Sequence, residues 1–405
     1  MPLSTLVTAP AIASPTAGGS TAKVEQKVRD QIAKKGATSF WVVLDSQADL
    51  AGAARLKAKT DKARFVLTTQ TRHAEKTQAG LRALLDRYKA DYKSFWIHNS
   101  LYVTGDSSLL NTLASRPEVE AIEADEPVTV PEPLPGQEEP PVNGVEWNID
   151  RINAQQVWAM GVRGEGTVVA NIDTGVKHDH PAVANQYRGK NPDGTVNHNY
   201  NWFDPASVCP AGTPCDNHGH GTHTMGTMVG DDGSTNQIGV APGAKWIAAK
   251  GCESGSCSRT SLLASGQWIV APTDLAGQNP RPDLAPDVVN NSWGSTTYDP
   301  WYTQTVESWV AAGIFPSFSN GNSGPSCASS GSPGSYVISY SSGAFDINNA
   351  IASFSSRGAG EDGAIKPNLA APGVNVRSSV PTGYTSMSGT SMASPHTAAA
   401  VALMW

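Results

Sequence analysis

Between residues 168 and 340, short apolar runs alternate with segments of helical periodicity, and this alternation limits the possible folds more than any other feature of the chain. Residues 168–172, 246–249, 288–290, 314–318 and 337–340 read as strands, and residues 220–229, 258–270 and 300–312 as helices. Continuous apolar strands separated by helices build a mostly parallel sheet, because parallel neighbours require a long crossover and both sheet faces are then covered. The expected architecture is therefore α/β, a parallel sheet with helices on both faces. Ligands of such sheets gather beyond the carboxyl ends of the strands.

Residues suited to chemistry fall at those ends. The run from Gly166 closes on Ile172-Asp173-Thr174-Gly175, an aspartate followed by a turn. Asn217-His218-Gly219-His220-Gly221-Thr222-His223 opens the next helix with small residues around His220. Gly389-Thr390-Ser391-Met392-Ala393-Ser394-Pro395-His396 puts a serine at a glycine turn where a helix begins, with Pro395 expected to sit in the first turn, where amides lack helical partners. A serine hydroxyl becomes a nucleophile only beside a base, and its attack needs fixed donors for the oxyanion. The order Asp, His, Ser along the chain is one in which such triads occur.

On these motifs the chain resembles the subtilisin-like serine proteases (subtilases). The family's D-[ST]-G is Asp173-Thr174-Gly175, its H-G-T-H is 220–223, its G-T-S-M-A-x-P is 389–395, and its oxyanion-hole asparagine falls at Asn322 in Ser319-Asn320-Gly321-Asn322. The resemblance implies that Asp173 orients His220, that His220 deprotonates Ser391, and that Asn322 with the Ser391 amide holds the oxyanion. It also implies that Ser292-Trp293-Gly294 and Ser319-Asn320-Gly321 line the substrate cleft, which would pair with the main chain of unfolded polypeptides. Trp293 reads equally as a packing aromatic. Residues 315–325 and the helix with Trp301 and Trp309 resemble the bacillopeptidase F type of subtilase.

No metal site is expected. His218, His220 and His223, with His178 and His180 upstream, lack an accompanying carboxylate or cysteine set at zinc spacing, and His223 and His396 read as packed helix residues. No cofactor is required by the chemistry. The family's high-affinity calcium site is expected to be absent, because Ala182 replaces its aspartate and residues 236–242 run through without its inserted loop. Calcium at other acids, such as Asp231 and Asp232, stays open beside the simpler reading of a solvated turn.

Across the 405 residues the net charge is −7, but residues 1–93 hold 16 basic and 8 acidic groups against 13 and 28 in the remainder. The N-terminal lysines are interleaved with acids, so neither a nucleic-acid partner nor, without a long apolar run, a membrane is expected. Helix 21–35, strand 39–44, helix 69–92, strand 95–104, helix 107–114 and strand 119–124 suggest a small ferredoxin-like α+β domain. Ahead of a subtilase, it resembles the family's inhibitor and folding-assistant propeptide. Pro127, Pro131, Pro133, Pro135, Pro140 and Pro141 mark an extended linker over 127–144, and self-cleavage is expected between Ala124 and Gly144.

The expected plan is a signal remnant or disordered segment at 1–20, propeptide at 21–126, linker at 127–144 and catalytic domain at 145–405, with further helices expected past Trp405. Cys209 with Cys215 and Cys252 with Cys257 close short loops suited to disulfides in an oxidising compartment, leaving Cys327 over. The whole points to a secreted, self-processing serine endopeptidase acting on polypeptides, with its own propeptide as intramolecular inhibitor. A catalytically silent, protein-binding relative with the propeptide retained is the alternative. A carboxylate-dependent peptidase of the sedolisin type is disfavoured by His220 and by Asn322, where that type carries an aspartate.

Overall fold

The computed structural model describes residues 23–137, 144–210 and 212–405; the expected signal remnant lies outside them. The chain divides into two compact units, one comprising residues up to 46, 77–94 and 100–125, the other residues 47–76, 95–99 and 126–405.

In the smaller unit, α1 (Gln26–Lys35) buries Val28 and Ile32 and stops at Gly36, whose φ of 82° suits glycine. Next come β1 (Ala37–Leu44), α2 (Lys59–Thr77), α3 (Ala79–Tyr88), β2 (Tyr92–Phe95), β3 (Ser100–Asp106), α4 (Ser107–Ala114) and β4 (Val119–Ala124). The sheet order β2-β3-β1-β4, with β1 antiparallel to both β3 and β4, is the ferredoxin-like arrangement. Phe40, Val42 and Leu44 alternate inward onto Leu81, Leu85, Leu101 and Ile122. The single helix expected over 69–92 is two helices that break at Gln78, a buried residue bonded to Ser94, and α3 ends where Lys89 turns left-handed at φ 52°. The strand expected at 95–104 is divided by a turn through Asn99 into β2 and β3.

Most of α2 belongs to the larger unit, where an undivided N-terminal domain was expected. Lys59 Nζ binds the Ala285 carbonyl and the Asp287 carboxylate, and Gln70 Nε2 donates to Ser308 Oγ at 2.8 Å. Where the extended proline-rich linker was expected, the described residues pair: β5 (Val128–Thr129), β6 (Leu134–Pro135) and β7 (Gly144–Val145) all join strands of this unit. Two short helices follow, α5 (Trp147–Arg151) and α6 (Ala154–Ala159).

Then come β8 (Val168–Asp173), β9 (Trp202–Phe203), α7 (His220–Val229), β10 (Asn236–Gln237), β11 (Lys245–Lys250), β12 (Ser256–Cys257) and α8 (Arg259–Val270). β13 (Val288–Asn291), α9 (Thr303–Ala311), β14 (Phe315–Ser319), β15 (Tyr340–Phe345), β16 (Gly358–Ala359), β17 (Ile365–Lys366) and β18 (Leu369–Pro372) continue the chain. It closes with the hairpin β19 (Val376–Ser379) and β20 (Tyr384–Ser388) and with α10 (Thr390–Met404).

Seven strands form the central sheet in the order β9-β11-β8-β13-β14-β15-β18, every pair parallel. Residues 169–173 and 288–291 are buried without alternation, so both faces of β8 and β13 are covered. Helices α7 and α10 pack on each other and on the sheet, and α8 and α9 form a second such pair. The chain leaves β8 for β11 on one side and returns to β13 on the other, which opens a crevice at the carboxyl ends of β8 and β13. The strand expected at 337–340 begins only at Tyr340; Val337 is exposed, and Tyr336 turns inward to bond the Asp299 carbonyl. Near the end of α10, Ala398, Ala399 and Ala402 are buried while Met404 and Trp405 are exposed.

Candidate active site

Asp173 is the last residue of β8 and His220 the first of α7, so strand end and helix start meet in the crevice. Asp173 Oδ1 accepts from His220 Nδ1 at 2.8 Å, with both side chains buried. The same carboxylate is oriented by the Thr174 amide at 2.7 Å and the Thr224 hydroxyl at 3.1 Å. A carboxylate on Nδ1 puts the proton there and leaves Nε2 as the basic nitrogen. His220 Nε2 is buried and has no hydrogen-bond partner among the described residues.

Asp216 and Lys250, which the motifs did not single out, hold this pair together with Thr174. Asp216 Oδ1 accepts from the His218 and Gly219 amides at 3.0 and 2.8 Å and from Thr174 Oγ1 at 2.9 Å. Its Oδ2 takes the amide and hydroxyl of Thr222 at 2.9 and 2.6 Å, so one carboxylate caps α7 and ties it to the turn after Asp173. Thr174 Oγ1 in turn accepts from the Gly221 amide at 2.9 Å. Lys250, buried at the end of β11, donates to the Thr174 carbonyl and to Asn217 Oδ1, and desolvation lowers its pKa. The available sequence signal was Asp216 itself, an acid just ahead of a glycine-led helix start.

Ser391 is the second residue of α10 and is buried; its hydroxyl donates to the Ser292 carbonyl at 3.3 Å rather than to His220. Asn322 Oδ1 accepts from the amide and hydroxyl of Thr390 at 2.9 and 2.8 Å. That fixes the amide's orientation and turns Nδ2 outward, where a Cβ on Gly389 would lie 3.3 Å from it. Pro395 lies inside α10, not in its first turn. The Ser391 carbonyl, which an amide at position 395 would bind, accepts the Ser292 hydroxyl at 3.0 Å instead.

Of the residues expected to line the cleft, Gly294 donates its amide to the Thr129 carbonyl at 3.2 Å. Trp293 is buried against Tyr302 and Phe318, so its indole packs the core. Ser319 is buried at the end of β14, and the Asn320 side chain is consumed by Ser330, Ser341 and the Ser356 carbonyl. Gly321, at φ 103°, donates to Thr390 Oγ1.

The subtilase family profile matches residues 164–405, the segment that carries Asp173, His220, Asn322 and Ser391. The chain belongs to the subtilase family. It is 37% identical to bacillopeptidase F of Bacillus subtilis along 94% of its own length, and it spans only 29% of that relative. It is 37% identical to subtilisin Savinase of Lederbergia lenta over 64% of this chain and 84% of the relative. Subtilisin E of Bacillus subtilis is 30% identical over 86% of this chain and 81% of the relative. By family and relatives this subtilase is a serine peptidase of the subtilisin type.

The remaining candidates take structural places in this subtilase. His223 Nε2 bonds the Val376 and Thr385 carbonyls, and desolvation lowers its pKa to about 3. His396 lies between Asn148 and the Met392 carbonyl with a pKa lowered to about 4 by burial. His180 bonds the Gly383 carbonyl and meets Tyr384 edge-on, His178 meets His198, and His218 meets His220. Asp231 and Asp232 cap the 231–236 turn through Gly233, Ser234 and Asn236. Both expected disulfides, Cys209–Cys215 and Cys252–Cys257, are formed, and Cys327 is an exposed thiol. No helix among the described residues is long and apolar enough to cross a membrane.

Proposed function

We propose that this subtilase is a secreted endopeptidase that hydrolyses polypeptides through an acyl-enzyme on Ser391. The carrying observation is the Asp173–His220 bond, with an unpartnered Nε2, at the start of α7, together with a serine at the start of α10, the helix packed on α7. On this reading the Ser391 hydroxyl exchanges the Ser292 carbonyl for Nε2 in the substrate complex, since such bonds often tighten only when substrate binds. His220 then takes the serine proton and returns it to the leaving amine, while Asp173 stabilises the imidazolium. The Ser391 amide and Asn322 Nδ2 receive the oxyanion, and the pre-set orientation of Asn322 means that little reorganisation accompanies charge development.

Substrate main chain would pair with the edges at 255–257 and at Gly294, an arrangement that is tolerant of side-chain sequence. The two disulfides suit an extracellular protein. The ferredoxin-like unit reads as an intramolecular inhibitor and folding aid, so the chain would be a zymogen that processes itself within 127–144; residues 138–143 lie outside the described residues. Hydrolysis of fluorescein-labelled casein by the purified protein, abolished in Ser391→Ala and in His220→Ala, is the expected result. Activity that survives either substitution would refute the mechanism, and a folded protein without any activity would favour the protein-binding alternative.

A further inference from the structure

The chain's own residues 128–137 cross the candidate active site, clamped on both sides of Ser391. Upstream, β5 runs antiparallel to β12 with Thr129 opposite Ser256 and Val128 opposite Cys257. Val130 donates its amide to the Gly255 carbonyl at 3.1 Å, and Gly294 donates to the Thr129 carbonyl at 3.2 Å. Residues 128–130 thus form the middle strand between two edges. Downstream, β6 runs antiparallel to β20 with Leu134 opposite Ser388 and Pro135 opposite Met387. The Gly136 amide reaches the Ser386 carbonyl at 2.9 Å and the Gln137 amide reaches Asn375 Oδ1 at 3.1 Å. Only Pro131, Glu132 and Pro133 lie between the clamps, and the four steps from Val130 to Leu134 cover at most about 14 Å.

Register places one of these residues against the serine. The Thr129–Gly294 bridge is antiparallel, so two residues on along one strand and two back along the other bring Pro131 opposite Ser292. Ser292 is the residue whose carbonyl lies 3.3 Å from Ser391 Oγ. Chemistry narrows the choice in the same direction. Val130–Pro131 and Glu132–Pro133 are bonds to a proline nitrogen, which carries no N–H and leaves as a secondary amine. Pro131–Glu132 is the ordinary secondary amide at the centre of the unclamped span, and Pro133–Leu134 adjoins the downstream clamp.

We propose that Pro131–Glu132 is the bond this protein cleaves in itself, and that the cleft therefore accepts proline as the residue that forms the acyl-enzyme. The proposal rests on the serine-peptidase reading above and adds the bond. Ser391 Oγ bonds to the Pro131 carbonyl carbon as its proton passes to His220. The bond to the Glu132 nitrogen breaks, and that nitrogen leaves with the His220 proton. Water, deprotonated by His220, then releases the Pro131 carboxylate and restores Ser391. Because both clamps belong to the same chain, the first cut is intramolecular, and its rate does not depend on protein concentration.

The test expresses the full chain and follows it by intact-mass and terminal-sequence analysis at successive times, beside Ser391→Ala and Glu132→Pro. The expected first products are 1–131, ending at Pro131, and 132–405, beginning at Glu132, at a first-order rate unchanged over a tenfold dilution. Ser391→Ala should yield neither product. Glu132→Pro, which makes the bond a proline amide, should lose this cut while melting at the temperature of Ser391→Ala, so that misfolding is not mistaken for a block. As a second readout, matured enzyme should cut a synthetic peptide of residues 126–137 between Pro131 and Glu132. Ser391-dependent cleavage that starts at another bond overturns this assignment and leaves the peptidase reading intact. Absence of any Ser391-dependent cleavage overturns both.

Discussion

Ser292 offers a strict test of how the helix that carries Ser391 is supported. Its hydroxyl donates to the Ser391 carbonyl at 3.0 Å and accepts from Asn290 Nδ2 at 3.0 Å, all within the buried core. Ser292→Ala would leave two buried polar groups without that partner. At about 1–3 kcal/mol for each such group, and allowing for partial relaxation, the expected loss is about 2–4 kcal/mol of folding stability. The carbonyl depends on Ser292 because Pro395 has no amide to give it. Pro395→Ala would supply an amide at the helical position, so the carbonyl would then be satisfied within α10. Ser292→Ala made in Pro395→Ala should therefore cost only the Asn290 share, about 1–2 kcal/mol, and the coupling between the two sites should be about 1–2 kcal/mol. The assay is urea denaturation of all four proteins in the Ser391→Ala background, where self-digestion cannot distort the curves. Coupling within about 0.3 kcal/mol of zero, the usual additivity error, would refute the substitution of a serine hydroxyl for a helical amide.

Further outcomes follow from the same geometry. Burial holds the folded-state pKa of His223 at about 3 and of His396 at about 4, below the unfolded value of about 6.5. Both stay neutral when folded, so stability is complete above about pH 6.5 and declines as pH falls from there toward 4, by on the order of 1 kcal/mol per pH unit for each histidine. Denaturation of Ser391→Ala at pH 7 and at pH 5 should show that decline, and equal midpoints would contradict it. Gly175→Ala would place a Cβ 2.0 Å from the Cys215 carbonyl at a φ of 102°. It should cost more than about 2 kcal/mol and disturb the turn after Asp173, and a variant with unchanged melting and casein hydrolysis would show that the turn yields. The Cys252–Cys257 bridge closes the loop that carries Gly255 and β12, and the Cys252 amide bonds the Asp173 carbonyl at 3.1 Å. Replacing both cysteines by serine should raise KM several-fold for peptides long enough to pair with β12 while sparing a single-residue ester; equal effects on both substrates would refute the positioning role.

Much of this protein is written locally. An apolar run that ends in Asp173, a glycine-led start at His220 and another at Ser391 identify their strand and helix termini without knowledge of the rest of the chain. The helices α4 and α7 and the strand β4 occupy the residues that periodicity and capping indicate. These features are legible because a strand's apolar run and a helix's cap are properties of neighbouring residues. The break at Gln78, the inward turn of Tyr336 and the late start of β15, built from Ser and Gly, were not legible, since a partner distant in sequence decides each.

The site divides in the same way. Asp173, His220, Ser391 and Asn322 stand out as motifs, whereas the supports Asp216 and Lys250 do not, and Ser292 reads as a cleft residue rather than as a support, because these roles are bonds to groups on other elements. Pro395 reads as a tolerated first-turn proline until the fold places it deeper in α10 and sets the Ser292 hydroxyl on the carbonyl it leaves unbonded. The proline-rich linker reads as an extended, unpaired chain because it lacks apolar periodicity. Only the tertiary structure pairs residues 128–137: hydrogen bonding along an open cleft needs exposed backbone edges at 255–257, 294 and 386–388 rather than any side-chain pattern in the strand that binds there.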